Sequence, residues 1–132
     1  MQAGLRAGTS DELSRLLTAT FAPALNRLTV QVTVASEPVE AAPWYEFDVD
    51  ADGWHIPVGG APGRLTLGQI AEHIVDQVQQ ELSQGPLWGR PVPPCAAHPR
   101  HPANAEAAGD DGLRLRCSVD PSAWYQDIAA RP

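Results

Sequence analysis

The chain has 132 residues, 43% of them apolar, and a formal charge of −7 in which every basic residue is arginine. That length bounds it to one core with room for an appendage, and that apolar fraction excludes disorder of the whole chain. An acidic surface repels phosphate backbones, so nucleic acid is disfavoured and a basic or amphipathic protein is the expected partner.

The charge is unevenly placed. Residues 1–84 carry eleven acids against Arg6, Arg15, Arg27 and Arg64, whereas residues 85–132 hold five of each sign, so the repulsion belongs to the N-terminal part. The stretch from Met1 to Leu13 lacks the apolar centre of a signal peptide, and no run reaches transmembrane length. The expected setting is the cytoplasm, with no membrane contact. Two cysteines there are reduced or metal-bound rather than bridged.

Thr9-Ser10-Asp11-Glu12 reads as a helix start with Thr9 as cap and Glu12 at capping-box distance. Leu13, Leu16, Leu17, Thr20 and Phe21 follow at helical spacing until Pro23. Leu28 to Ala35 then alternates, with Leu28, Val30, Val32 and Val34 on one face, as a half-buried antiparallel strand does. Trp44 to Val49 alternates again with Tyr45, Phe47 and Val49 inward. Asp50-Ala51-Asp52-Gly53 turns the chain, and Trp54, Ile56 and Val58 form a third strand that Pro57 marks as an edge. Gly59 to Gly63 has linker composition. Thr66 and Gln69 make a second capping box before the apolar stripe Leu67, Ile70, Ala71, Ile74, Val75, Val78 and Leu82, which Gly85-Pro86 ends. That helix is expected to lie across the apolar face of a three-stranded meander.

From Leu87 the composition changes. LWGRPVPP reads as an extended, proline-rich crossing, and Pro99 and Pro102 keep the backbone extended beyond His98 and His101. Asp110-Asp111-Gly112 is a hairpin-type turn, followed by the short strand Leu113 to Cys117. Asp120-Pro121 reads as the cap and first position of a short terminal helix ending at Ile128. The fold class is therefore α+β. A body over residues 1–86 holds a three-stranded antiparallel meander and two packed helices, and a tail over 87–132 holds a zinc-ribbon-like hairpin and a terminal helix.

Both cysteines and two of the four histidines lie in that tail. Cys95 and His98 are spaced C-x2-H, His101 stands a further x2 on, and Cys117 follows after fifteen more residues. Two ligand turns flanking a hairpin are how a zinc ribbon closes a tetrahedron. The expected ligands of a structural zinc are Cys95, His98, His101 and Cys117. Asp120 is the alternative fourth ligand, set behind His101 because imidazole is the commoner zinc ligand and Asp120 already caps. The rival readings are a Cys95–Cys117 disulfide and unpaired groups in a loop. Metal is preferred because residues 89 to 112 are too rich in proline, alanine and charge to order themselves by burial.

Other motifs weigh less. Pro94-Cys95-x-x-His98 resembles half of a zinc-deaminase signature, but His55 is followed by Ile56-Pro57 and His73 by Ile74-Val75, so the H-x-E half is missing. Asp48-x-Asp50-x-Asp52-Gly53 matches the start of a calcium loop, yet Gly59 stands where the bidentate glutamate belongs, and a hairpin turn is the better reading. His73 is expected on the solvated side of its helix and His55 on the polar sheet face near Glu46 and Asp48. Trp44, Trp54, Trp88 and Trp124 read as packing, the last two pinning the tail to the body.

The tail, CAAHPRHP followed by a turn and LRLRC, is similar to those of small proteins of high-GC bacteria. That resemblance covers the last third of the chain and implies a zinc-ribbon-like tail without an activity. The order helix, three strands, helix, hairpin, helix also resembles small acidic secretion chaperones, which implies a dimer. The functional expectation is a non-enzymatic protein-binding or adaptor protein. A zinc-dependent hydrolase with an open three-ligand site, or a chaperone-like homodimer, is the alternative.

Overall fold

The computed structural model describes residues 9–22, 24–40, 42–98, 100–120 and 122–129. Helix α1 (Thr9–Phe21) leads into β1 (Leu28–Val34), β2 (Trp44–Ala51), β3 (Trp54–Ile56) and β4 (Ala61–Pro62). Helix α2 (Leu67–Gln84) follows, then β5 (Ala103–Ala108), β6 (Gly112–Cys117) and β7 (Tyr125–Ala129). The result is α+β, with two helices, a four-stranded antiparallel sheet and a three-stranded antiparallel C-terminal sheet.

The alternation in β1 and β2 becomes register. Leu28 faces Ala51, Val30 faces Val49 and Val32 faces Phe47, so one face carries the apolar side chains. Asp52 (φ 51°) and Gly53 (φ 91°) take the two positive-φ positions of a tight β2–β3 turn. Asp50 accepts from the Gly53 amide at 2.8 Å, and Asp52 accepts from the amides of Asn26 and Arg27 at 3.1 and 2.8 Å. Two of the three aspartates of the calcium-like motif are thus committed to backbone amides.

α1 closes the outer edge of β1 with hydroxyls. Ser10, Ser14 and Thr18 recur every fourth residue, and they accept from the amides of Val32, Val30 and Leu28 at 3.1, 2.8 and 3.0 Å. Four helical residues advance ~6 Å and two strand residues ~6.7 Å, so the two repeats stay in step over three rungs. Thr18 also donates to the Leu28 carbonyl at 2.9 Å. Ser14→Ala leaves the Val30 amide without its acceptor and is expected to destabilise by ~1 kcal/mol, read in chemical denaturation, with no change in the far-ultraviolet dichroism.

Several expectations are corrected. Thr9 is already helical, so it is not the cap, and Pro23 lies outside the described residues. Gly59 to Gly63 is fastened rather than linking. The Gly59 amide donates to Gln77 Oε1 at 2.7 Å, its carbonyl lies 2.7 Å from His73 Nε2, and Ala61–Pro62 pairs with β2 as β4. His73 is accordingly half-buried, its ring tilted against Phe47. The third strand ends at Ile56, because the chain turns toward α2 at Gly59.

The capping box of α2 forms as read, Thr66 and Gln69 exchanging side-chain and backbone bonds. Its stripe enters the same buried cluster as Leu28, Tyr45 and Val49, but its neighbours along the backbone are α1, β5 and β6 rather than the meander. The Gly68 amide donates to the Asp110 carbonyl at 2.8 Å, and Glu72 accepts from the Ala107 amide at 2.7 Å. Leu87, Val92 and Leu113 join the main cluster and carry the tail onto it. Trp88 is 79% exposed and Trp54 50% exposed, so neither packs as expected, whereas Trp124 is half-buried beside Cys117. The crossing also winds before it extends, through the turns Trp88 to Gly85 and Arg90 to Leu87.

The terminal helix is replaced by β7. Asp120 does accept from Ser122 as a cap would, through its amide at 3.0 Å and its hydroxyl at 2.7 Å, while Pro121 lies outside the described residues. The chain then pairs with β6 instead of coiling, because Trp124 and Ile128, four residues apart, fall on one strand face and both pack inward. The open side of β6 offers backbone partners to alternate residues of the segment, and that outweighs helical propensity.

Candidate metal centre

The first ligand segment is a closed loop. Ala103 donates to the Pro93 carbonyl at 2.7 Å, Pro94 bridges Pro102, and His101 donates its amide to His98 at 3.0 Å. These bonds bring Cys95 and His98 back over the end of the sheet. The second segment begins where β6 ends: Cys117 lies opposite Ala103, donates its amide to Trp124 at 3.2 Å and starts the turn to Asp120.

Cys95, His98 and Cys117 meet there. Their ligand atoms all lie within 4.8 Å of one another, and His98 Nδ1 is 2.9 Å from Cys117 Sγ. Both cysteines are buried, free thiols, 4% and 1% exposed, in a small cluster with Ala103 and Leu115 under Trp124. His98 is half-buried at the mouth.

The surroundings suit a thiolate, the form that binds metal. Burial pushes the Cys117 thiol up, but the amides of Asp120 and Val119, with His98 and Cys95, outweigh it and hold the thiol below its ordinary value. The Asp120 amide donates to Cys117 Sγ at 3.3 Å. Two sulfurs and one imidazole from two backbone segments are a borderline-soft donor set that fits zinc.

The two remaining sequence candidates stand outside this group. The His101 ring is exposed and meets His98 edge-on, with centroids 5.8 Å apart. Asp120 directs its carboxylate to Ser122, whose hydroxyl and amide hold it below the usual carboxylate range, with a smaller contribution from His98. On the other sheet, His55 Nδ1 lies 3.3 Å from Asp48, both side chains being largely exposed.

Sequence spacing found the three converging side chains. It missed the amides of Val119 and Asp120 and the cover supplied by Trp124. Backbone donors carry no residue signature, and Trp124 is held at the site by its backbone bond with Cys117. Among the described residues, no helix is long and apolar enough to cross a membrane. Comparison of the chain with protein-family models, curated proteins and solved structures returns no match.

Proposed function

We propose that this is a non-enzymatic protein-binding or adaptor protein whose C-terminal sheet is clipped by a structural zinc ion. Cys95, His98 and Cys117 hold the ion, and His101 swings in as fourth ligand. One observation carries the reading: three soft or borderline ligand atoms from separate segments converge within 4.8 Å, over an end of the sheet with little apolar cluster of its own. The acidic outer face of the N-terminal sheet, where Asp48, Asp50 and Glu46 stand, is the surface for a basic partner.

The measurement is metal content of protein purified without chelator. One zinc per chain is expected, and a stoichiometry well below one defeats the proposal. A second reading has its own support. Among the described residues three protein ligands converge, and Asp120 stands beside them, which is the pattern of a hydrolytic site with an open position for water. His101→Ala separates the two. As fourth ligand its loss weakens zinc binding ~10–100-fold, as loss of groups that orient or complete a site does. An unchanged affinity favours the open site.

A further inference from the structure

The two sheets have four outer edges, and three are closed by identifiable devices. The edge of β1 is taken by the α1 hydroxyls. The β3–β4 edge is interrupted after three residues by Pro57, which has no amide hydrogen, and by the loop tied to α2 at Gly59. On β5, the Ala103 amide goes to Pro93 and the Ala107 amide to Glu72. Proteins close edges in this way because an open one pairs with another strand.

Among the described residues no such device bonds the outward groups of β7, although α1 packs beside the strand. The bond from Cys117 to Trp124, with Leu115 opposite Gln126 and Leu113 opposite Ile128, gives the even-numbered residues to β6. Alternation turns the N–H and C=O groups of Tyr125 and Asp127 outward. No described group bonds to them. Tyr125 is 59% exposed.

We propose that β7 is a homodimerisation edge, pairing antiparallel with β7 of a second copy to make one six-stranded sheet. Charge selects a copy of this chain. The edge lies in the part of the sequence whose charges balance, and its outer face is internally neutralised: Arg114 bonds Asp127 with its Nε at 2.6 Å and its Nη2 at 3.0 Å, and Arg116 pairs with Glu106. Two copies therefore meet there with the charges of their outer faces already paired.

Charge also selects the register. Centring on Asp127 would set two carboxylates face to face, which is unfavourable. Ala129 shares a groove with Ser10, Asp11 and Ser14, so a register centred near it would bring the second strand up against α1. Centring on Gln126 sets Tyr125 opposite Asp127 of the partner subunit, with the Arg114 guanidinium 4.6 Å from the Tyr125 ring centroid. Each Tyr125–Asp127 pair exchanges two backbone bonds.

The inference does not depend on the metal. Light scattering on the full-length protein across the micromolar range is expected to show a concentration-dependent dimer. Asp127→Pro removes an outward amide hydrogen and no bond to β6, and should raise the dimer dissociation constant at least ~10-fold. Asp127→Asn keeps that amide and should leave the dimer in place, which separates the backbone pairing from the ion pair. Gln126→Cys should cross-link the two copies under mild oxidation, since facing Cα atoms in such a non-hydrogen-bonded pair stand ~4.5 Å apart, within disulfide range. A monomer at every concentration, a dimer indifferent to Asp127→Pro, or no cross-link at position 126 overturns the proposal.

Discussion

Stripping the proposed zinc, or replacing Cys117 by serine, is expected to lower the melting temperature by roughly 10–20 °C. The magnitude follows from linkage. A ligand present at a thousand times its dissociation constant adds about 4 kcal/mol to the folded state, and for a chain of this size each kcal/mol moves the midpoint by roughly 3–5 °C. The loss should be local before it is global. Leu113 is buried in the main cluster, whereas Cys95, Ala103, Leu115 and Cys117 form only a small one. Limited proteolysis should therefore cut first between Ala96 and Pro102 and between Ser118 and Trp124, leaving α1, α2 and the N-terminal sheet intact. Simultaneous digestion of the whole chain would contradict a loss confined to the metal-ligand loops.

Acid acts in the same direction as chelation. A bound metal requires the thiols and the imidazole deprotonated, so protons compete for the same atoms. The folded Cys117 thiol is held below its ordinary value, and a group with a depressed folded pKa contributes stability that is lost as pH falls through that value. Metal release on acidification, followed by absorbance of a chromogenic chelator, should thus precede loss of helical dichroism.

Gly68→Ala is expected to destabilise by ~2–3 kcal/mol, although alanine is the better helix former. An added Cβ would stand 2.7 Å from the Gly112 carbonyl oxygen and 3.2 Å from that of Gly109. Those atoms belong to the β5–β6 turn and cannot swing aside as a flexible side chain would. Relief requires α2 to lift off the hairpin, which breaks the bond from the Gly68 amide to Asp110 and strains that from Ala107 to Glu72. Urea denaturation measures the loss. An unchanged midpoint would mean that the first turn of α2 is not clamped to the C-terminal sheet.

Local pattern was enough for most elements. The strict alternation of Leu28 to Val34 and the spacing of Leu13, Leu16 and Leu17 each admit one way of burying an apolar face. The same holds for the Asp52-Gly53 turn, where few residues tolerate positive φ. The segment from Asp120 reads as a helix yet forms a strand, because a cap residue and the eight residues to Ile128 suit a turn before a strand as well as a helix. The neighbour that decides between them, the open side of β6, is not visible locally.

The candidate site divides in the same way. C-x2-H spacing placed Cys95 and His98 in one loop, and a hairpin between them and Cys117 was readable from Asp110-Asp111-Gly112. The partners of the two outer candidates were not. Whether His101 faces the cluster and whether Asp120 spends its carboxylate on Ser122 depend on side-chain directions set by the bends of the chain.

Sequence alone determined the periodic faces, the capped helix, the acidic N-terminal part and the C-x2-H spacing of Cys95 and His98, because each is an interaction between residues close in the chain or a chemical identity. Tertiary structure alone decided that α2 clamps the C-terminal hairpin, that the last segment is a strand, and that, among the described residues, the outward groups of β7 stay unpaired. Those outcomes are settled by which backbone groups remain unpaired after distant segments meet, a quantity that no stretch of residues carries by itself.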